Sequence, residues 1–389
     1  MRGFNTKAIH GHEYHDENLG VFIPPIYLTA MFEQPNRKTG STLLTDRNTE
    51  LKYSREENPT VRALEHILAK LENGEDALAF NSGMGAILTV YLAFLEKGDE
   101  VVVPMEGYGT SIQLLTDIGA KFGVQVKKVW PDETSIIEAI SSKTKFVILE
   151  TMTNPTLKVI NVREVAKEAS DLNVLTVVDN TFATPLAYNP LDDNATIVIH
   201  STTKYIAGHN DVIGGALITN SNMVNLLWDW RRKLGSIQSP FDAYLTLRGV
   251  KTLSIRFEKQ CRNAQEIAEF LNEHPKVEEV LYPGLSTSPY HSVACKLFKK
   301  KLFGSVLSFK VKGGQTKALQ TLRKTKIIKS SPSLGGTETL LTYPVISAAK
   351  TIPEEDRIKL GITDSLLRLS VGLEDVNDLI EDLDQALRS

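Results

Sequence analysis

The sequence predicts an α/β fold, with a large, mostly parallel sheet followed by a smaller C-terminal α/β unit. Two observations lead to this prediction. Short apolar runs rich in β-branched residues alternate with segments of helical periodicity between residues 59 and 245, and this regular alternation ends after that point. Buried runs that alternate with helices are typical of parallel strands covered on both faces. We therefore expect three parts, at residues 1–58, 59–245 and 246–389.

The chain is long enough to form a large buried core that needs neither a metal ion nor a disulfide. Of 389 residues, 44 are Lys or Arg and 47 are Asp or Glu, a net charge of −3, so no nucleic-acid partner is indicated. The longest apolar run, residues 86–95, is half of the ~20 residues that cross a membrane. Two distant cysteines, Cys261 and Cys295, and a start without the pattern of a signal peptide predict a cytoplasmic protein.

The first periodic segment predicts a helix over residues 63–71, because apolar residues recur there at steps of three and four. Thr60 is the expected N-cap and Gly74 the expected stop. A strand is expected next, at residues 77–80. In contrast, residues 33–58 are polar, have no clear period and are long for a connection, so we expect a functional or disordered loop there.

Further elements follow the same two patterns. In the large unit, short continuous apolar runs predict strands at residues 101–103, 146–149, 174–178 and 196–199, and periodicity predicts a helix at residues 162–169. In the smaller unit, the expected helices are residues 251–272 and 375–387, and the expected strands are residues 305–311 and 366–371.

Four loops that follow predicted strands carry residues suited to a ligand. In open parallel sheets, ligands bind where the carboxyl ends of the strands meet. The residues are Asn81-Ser82-Gly83-Met84-Gly85, Tyr108, Asp179 and Ser201-Thr202-Thr203-Lys204. Taken singly, each has an ordinary alternative as a tight turn, a core aromatic, a helix cap or a surface charge.

Together the four loops match the needs of pyridoxal 5′-phosphate (PLP). Glycine N–H groups at a helix start and nearby hydroxyls suit a phosphate. A lysine amine forms a Schiff base once its pKa falls from about 10.4, a carboxylate suits the pyridine nitrogen, and an aromatic face stacks on a ring. A dinucleotide site is not indicated, because Leu88 replaces the last glycine of that fingerprint.

Ordered motifs along nearly the whole chain resemble one family, the γ-family of fold-type-I PLP enzymes of cysteine and methionine metabolism. That family includes cystathionine γ-synthase, cystathionine γ-lyase and methionine γ-lyase. The matching motifs include Pro24-Pro25-Ile26-Tyr27, Tyr53-Ser54-Arg55, Ser82-Gly83-Met84, Glu150-Thr151, Thr153-Asn154-Pro155, Asp179-Asn180-Thr181-Phe182, Thr203-Lys204-Tyr205, Ser333-Leu334-Gly335-Gly336 and Arg368-Leu369-Ser370-Val371-Gly372.

The resemblance implies an aspartate-aminotransferase-like fold and a role for each matching residue. Lys204 would bind the cofactor and move protons, Asp179 would keep the pyridine nitrogen protonated, and Tyr108 would stack on the ring and serve as an acid or base. The cofactor phosphate would be bound within the subunit by Ser82, Gly83, Met84, Ser201 and Thr203.

The remaining roles implied by the resemblance concern the substrate and a second subunit. Asn154 would contact cofactor and substrate, and Arg368, helped by Ser333, would bind the substrate α-carboxylate as a fork. Tyr53 and Arg55 would reach the phosphate of a neighbouring subunit, with Tyr53 also near the substrate. The resemblance therefore implies a homotetramer, a dimer of dimers that share active sites.

The resemblance implies chemistry at Cγ of a small amino acid. We expect γ-replacement of the cystathionine γ-synthase type, in which O-activated homoserine and cysteine give cystathionine. The alternative is γ-elimination by a cystathionine γ-lyase or methionine γ-lyase, which gives 2-oxobutanoate, ammonia and a thiol. Pro332 stands where many cystathionine enzymes have glutamate, and Thr110 where many methionine γ-lyases have cysteine. These two departures favour the synthase.

Two other classes remain open at this point. A catalytically silent relative would keep the fold as a binding or structural protein, and a class I aldolase would use Lys204 without a cofactor. An aldolase of this kind would have no use for the loop at residues 81–85, which suits a phosphate. His10, His12 and His15 have no spacing of a known metal site, so we expect no metal.

Overall fold

The computed structural model describes residues 3–15 and 19–389 and confirms the α/β class. Its strands form two sheets, one of seven strands within residues 76–219 and one of five strands within residues 277–370. In the part of the chain that the structure describes, each helix is too short or too polar to cross a membrane. The division at residues 58 and 245 stays a prediction.

The large sheet is mostly parallel, as predicted. Its strands are β1 Asp76–Phe80, β2 Glu100–Pro104, β3 Gln125–Val129, β4 Thr144–Glu150, β5 Leu175–Asp179, β6 Ile197–His200 and β7 Gly215–Thr219. They lie in the order β1-β7-β6-β5-β4-β2-β3, and only β7 runs antiparallel to its neighbours. The sequence reasoning missed β3 and β7. β3 is an edge strand with two lysines, so it contains no continuous apolar run.

Helices cover both faces of the large sheet. They are α1 Phe4–His10, α2 Pro59–Glu72, α3 Gly83–Phe94, α4 Gly109–Phe122, α5 Glu133–Glu138, α6 Val162–Asp171, α7 Thr184–Ala187, α8 Ser221–Leu234 and α9 Pro240–Val250. Successive residues of a strand pack on opposite faces. In β4, Phe146 and Ile148 join the core under α3, α4 and α8, whereas Val147 and Leu149 join the core under α2 and α6.

The two predicted ends of α2 were wrong. Asn58 is the N-cap, and its Oδ1 accepts the N–H of Thr60 at 3.0 Å. Pro59 takes the first helical position, where no N–H is needed, so the cap moves ahead of it. At the other end the helix stops at Asn73, whose φ of 58° is left-handed, rather than at Gly74.

The smaller sheet is mostly antiparallel, in the order β10-β11-β12-β9-β8. Its strands are β8 Val277–Leu281, β9 Val306–Val311, β10 Lys329–Ser330, β11 Leu340–Thr342 and β12 Leu366–Ser370. The helices of this part are α10 Leu253–Glu273, α11 His291–Leu297, α12 Gly314–Lys324, α13 Glu354–Leu360 and α14 Val376–Arg388. The predicted helices α10 and α14 and strands β9 and β12 are present, and β8, β10 and β11 were missed.

Residues 19–58 contain no helix or strand longer than a single bridge. Their order comes from charged contacts instead. Arg47, only 3% exposed in its side chain, contacts Asp76 at 2.6 Å, Glu65 at 2.8 Å and Glu57 at 3.3 Å. The irregular polar loop expected at residues 33–58 is therefore present and tied to the start of β1.

Candidate active site

A cavity of about 290 Å³ lies at the carboxyl edge of the large sheet. The loops after β1, β2, β4, β5 and β6 form most of its wall, and the smaller unit closes it with residues before β11 and on β12. Most residues predicted for the site line it: Ser82, Gly83, Met84, Tyr108, Asn154, Asp179, Ser201, Thr203, Lys204 and Arg368. Residues of separate loops thus meet where the carboxyl ends of the parallel strands lie, as the strand-edge rule for ligand sites in open sheets predicts.

The start of α3 forms an anion-binding end of this cavity. Ser82 is the N-cap, with its Oγ accepting the N–H of Gly85 at 3.0 Å. The N–H groups of Gly83 and Met84 belong to the first helical turn, which has no acceptor within the helix. A Cβ on Gly83 would lie 3.2 Å from Ser201, so glycine lets the helix start pack against the loop that carries the predicted phosphate ligands.

Lys204 lies in the turn after β6, with its amine in the cavity. Its Nζ donates to Ser333 Oγ at 3.1 Å. Burial, and then the nearby charge of Arg368, lower the pKa of Lys204 below its ordinary value. A lowered pKa increases the neutral amine fraction that can form a Schiff base.

Asp179 ends β5 and has a fixed carboxylate. Its Oδ1 accepts both the N–H of Thr181 at 3.0 Å and the hydroxyl of Thr181 at 2.5 Å. Thr181 in turn accepts the N–H of Ser201 at 2.9 Å, which links the loops after β5 and β6. Burial raises the pKa of Asp179, and the bonds from Thr181 oppose that rise. A partly buried carboxylate of this kind suits a cationic partner.

Arg368, on β12, is a buried cation without a carboxylate partner among the described residues. It is 2% exposed, and it donates to Asn154 Oδ1 at 2.8 Å and to the carbonyl of Pro332 at 2.6 Å. Its Nε is buried and has no hydrogen-bond partner in residues 3–15 and 19–389. Burial lowers the pKa of Arg368 to about 10. The guanidinium is therefore suited to bind a carboxylate of a ligand.

Three predicted residues lie outside the cavity wall. Ser333 acts on the cavity only through its hydrogen bond to Lys204. Arg55 donates to the carbonyl of Arg232 at 2.6 Å, and its guanidinium lies 5.4 Å from the ring centre of Tyr53, which is 40% exposed. The structure thus does not bring Tyr53 and Arg55 to the cavity of their own chain, and their predicted contact with a neighbouring subunit stays a prediction.

Sequence reasoning missed several cavity residues. Glu150 follows the predicted strand 146–149 directly, so the strand-edge rule was sufficient to find it. The others are mainly apolar. They are Ile87, Met152, Thr181, Phe182, Ile213 and Leu334. Thr181, Phe182 and Leu334 belong to motifs of the family resemblance but were given no role, and the remaining three carry no signal in a single sequence.

An amine, a carboxylate and the N-terminus of a helix line one cavity, and these are the groups that the sequence led us to expect together. The sequence model of the Cys/Met metabolism PLP-dependent enzyme family matches residues 5–388. The chain belongs to that family. The predictions of the family, of an enzyme and of PLP dependence are confirmed.

Relatives of known name cover the whole chain. An L-methionine γ-lyase of Pseudomonas deceptionensis is 38% identical over 391 residues, covering 100% of this chain and 98% of the relative. A cystathionine β-lyase of Coxiella burnetii is 39% identical over 389 residues, covering 98% and 97%. The crystal structure of cystathionine γ-synthase from Xanthomonas oryzae pv. oryzae with aminoacrylate and cysteine has a TM-score of 0.93 and 36% identity, covering 100% of this chain and 98% of that one. These relatives agree on the family, and their names describe different reactions.

The residues of this cavity fit the family's cofactor. The start of α3 offers N–H donors to a phosphate, and Gly83 leaves room where a Cβ would press on Ser201. The amine of Lys204 and the carboxylate of Asp179 open on the same space. Arg368 also lines the cavity and has no carboxylate partner among the described residues, so its charge is suited to an acid group of a ligand.

Proposed function

We propose that this protein catalyses γ-replacement of the cystathionine γ-synthase type, in which O-activated homoserine and cysteine give cystathionine. One observation carries the proposal: the amine of Lys204, the carboxylate of Asp179 and the guanidinium of Arg368 open on a single cavity of about 290 Å³. That volume is enough for a cofactor ring and a small amino acid. Each of the three groups is suited to bind a different part of the cofactor or the amino acid.

Each group of cavity residues has a place in holding PLP. Ser82, Gly83, Met84, Ser201 and Thr203 would bind the phosphate. Asp179 would face the pyridine nitrogen, Tyr108 would stack on the ring, and Asn154 would contact its hydroxyl side. When bound, the cofactor supplies an electron sink that stabilises negative charge on carbon atoms of the substrate.

The protein's own part is binding and proton transfer. Arg368 binds the α-carboxylate, and its bond to Asn154 keeps the guanidinium plane fixed. Lys204 Nζ removes the Cα proton, because burial and Arg368 lower its pKa toward the working pH. Ser333 Oγ, 3.1 Å away, orients that amine. Tyr108 is placed to exchange a proton with the departing γ-group.

Replacement is favoured over elimination by the wall beside Arg368. Pro332 lines the cavity there, and its carbonyl accepts from Arg368. An uncharged side chain at this position offers no carboxylate to the distal amine of cystathionine. A lyase with this wall would bind cystathionine as its substrate less well than one with a carboxylate there, which makes cleavage of cystathionine the weaker candidate.

Elimination is the second candidate, and a specific similarity favours it. The chain is 38% identical over its full length to a protein named L-methionine γ-lyase. The same cavity residues would act, but no thiol would add at Cγ. That carbon would take up a proton instead, and water would hydrolyse the released unsaturated amino acid at Cα to 2-oxobutanoate and ammonia. The two candidates share every step up to departure of the γ-group.

The experiment that separates them supplies O-acetyl- or O-succinylhomoserine to the purified holoenzyme with and without cysteine. We expect cystathionine to exceed 2-oxobutanoate whenever cysteine is present, measured by mass spectrometry. More 2-oxobutanoate than cystathionine under those conditions would contradict the synthase. Lys204→Ala is the control, and it should abolish both products.

We also propose that the protein is a homotetramer in the cytoplasm, in which each dimer shares its active sites. Large apolar side chains of the irregular N-terminal segment are exposed in the single chain, with Phe22 at 93%, Leu28 at 74% and Met31 at 72%. Exposed apolar groups clustered in one segment indicate a protein contact.

Subunit complementation tests the shared site. Arg55→Ala and Lys204→Ala are each expected to be inactive alone. Unfolding and refolding them together in equal amounts should restore about a quarter of the activity, because mixed dimers would contain one intact site. No recovery from a mixture that forms mixed dimers would contradict the shared site.

A further inference from the structure

A second carboxyl group, that of Glu150, shares the cavity with Asp179. Glu150 ends β4 and pairs in register with Asp179 of the neighbouring strand, so both side chains point to the same face. Its Oε1 accepts the backbone N–H of Tyr108. A Cβ on Gly107 would lie 2.8 Å from this oxygen, so the loop that carries Tyr108 packs directly on the carboxyl group.

The two carboxyl groups have unequal support for a negative charge. Asp179 accepts two hydrogen bonds from Thr181, whereas Glu150 accepts one. The titratable groups that face Glu150 are Asp179, Glu106 and the phenol of Tyr91, and none of them is a cation. Burial and then the charge of Asp179 raise the pKa of Glu150 well above its ordinary value. Two carboxyls side by side in one cavity do not both ionise.

We propose that Glu150 is a positioning residue that works as a neutral carboxylic acid, holding the Tyr108 loop while Asp179 remains the single anion at this end of the cavity. The proton sits on the carboxyl oxygen that does not accept from Tyr108, an oxygen with no hydrogen-bond partner in the described part of the chain. An ionised Glu150 would compete with Asp179 for the cationic pyridine nitrogen. This proposal about Glu150 deepens the proposed function. It rests on that function only in the role that it gives to Tyr108.

The test compares Glu150→Gln with Glu150→Ala in the holoenzyme. Glutamine has the size and neutrality of the protonated acid and keeps an oxygen for the Tyr108 N–H, whereas alanine removes the contact. We expect the Gln variant to bind PLP within about threefold of wild type and the Ala variant about tenfold more weakly, since one hydrogen bond to a packed loop is lost. The pH titration of the cofactor absorbance should be unchanged in the Gln variant.

Infrared difference spectra of wild type minus the Gln variant give the protonation state directly. At neutral pH we expect the C=O stretch of a protonated carboxylic acid, present in wild type and absent in the variant. Absence of that band overturns the neutral acid. PLP binding by the Gln variant as weak as that of the Ala variant, or unchanged binding by the Ala variant, overturns the positioning role.

These measurements need no substrate. The PLP-binding, absorbance and infrared results do not depend on whether the protein makes cystathionine. Failure of the proposed reaction can therefore be distinguished from failure of the proposal about Glu150.

Discussion

Two groups of charges that lie partly or wholly away from solvent are built in opposite ways in this protein. The first, the arginine cluster, lies between the loop at residues 33–58 and the large sheet and consists of Arg47, Arg62, Arg231, Glu57, Glu65 and Asp76. The second, the cavity set, consists of Lys204, Arg368, Asp179 and Glu150. In the arginine cluster each charge touches an opposite charge. In the cavity set, Lys204 lies near Arg368 and Glu150 lies beside Asp179, and among the described residues no ion pair joins any of the four to an opposite charge.

Two arginines show what this difference does. Arg47 and Arg368 are 3% and 2% exposed. Burial alone lowers the pKa of Arg47, but the carboxylates of Glu65, Asp76 and Glu57 outweigh it, and the pKa rises. Arg368 has no such partner among the described residues, and burial lowers its pKa to about 10.

Two glutamates repeat the pattern. Burial raises the pKa of Glu65, but three arginines outweigh it and lower the pKa to about 2. Glu150 lies beside Asp179 instead, and its pKa is raised. Charges that the chain itself pairs are suited to hold the fold, whereas those that it leaves unpaired either stay neutral, as we propose for Glu150, or are available to a ligand.

Breaking the arginine cluster should have the largest effect on stability. Arg47→Met leaves buried carboxylates beside one another, and we expect a loss of about 3–5 kcal/mol in the free energy of unfolding. Urea unfolding of the holoenzyme measures it. The matched control is Arg37→Met, whose 89%-exposed side chain pairs with Glu33 and should contribute less than about 1 kcal/mol. Equal losses in the two variants would contradict the comparison.

Removing the cavity arginine should affect catalysis and leave stability nearly intact. Arg368→Met takes away an unpartnered buried charge, so we expect an unchanged or higher melting temperature. Loss of the fork to the substrate carboxylate should lower kcat/KM by about 10²–10³-fold. Arg368→Lys should lose less, because it keeps the charge. A fall in stability as large as that of Arg47→Met would show that the cavity set also holds the fold.

Two Glu→Gln variants should change the pH dependence of stability in opposite directions. The folded pKa of Glu65 is lowered to about 2, so ionised Glu65 contributes stability above an unfolded pKa of about 4.5, and this is lost as the pH falls from about 5 toward 2. The folded pKa of Glu150 is raised, so its presence costs stability as the pH rises above about 4.5.

Melting curves at about pH 4 and pH 8 measure this pair of effects. Glu65→Gln should melt below wild type at both pH values, by a smaller margin at the lower one, because most of the contribution of Glu65 is lost only below about pH 4. Glu150→Gln should melt above wild type at the higher pH and meet it at the lower one. If both variants changed the melting temperature in the same direction at the higher pH, the distinction between the two groups of charges would be contradicted.

The smallest expected effect sharpens the description of the cavity set. Ser333→Ala removes the hydrogen bond to Lys204 Nζ. We expect kcat to fall about 2–10-fold, the value of one such bond, with little change in KM or melting temperature. A rise in KM with constant kcat would indicate instead that Ser333 acts on substrate binding.

Much of the fold and part of the site were predictable because their signals are local. The continuous apolar runs of β2, β4, β5 and β6 mark strands buried on both faces, and loops after such strands share one edge. That rule brought Asp179 and Lys204 together from residues alone. It did not reach Arg368, which comes from the smaller unit and was placed only through the resemblance to a family.

The arginine cluster had no sequence signal at all. Its members come from a loop, from α2, from β1 and from α8, and a lone Arg47 or Glu65 looks like any surface charge. Pairing of this kind is a property of the tertiary arrangement. Likewise β3, with two lysines at the sheet edge, lacks the continuous apolar run that marks a strand, and single-sequence patterns do not register it.

The unpaired charge of Arg368 has a practical consequence for assigning a substrate. Any small acid that binds in the cavity beside this guanidinium supplies the counter-charge that the described residues lack, and so it stabilises the folded protein whether or not it reacts. A thermal-shift screen of amino acids and 2-oxo acids would therefore rank candidate ligands before turnover is detected, and acids of product type should act as competitive inhibitors.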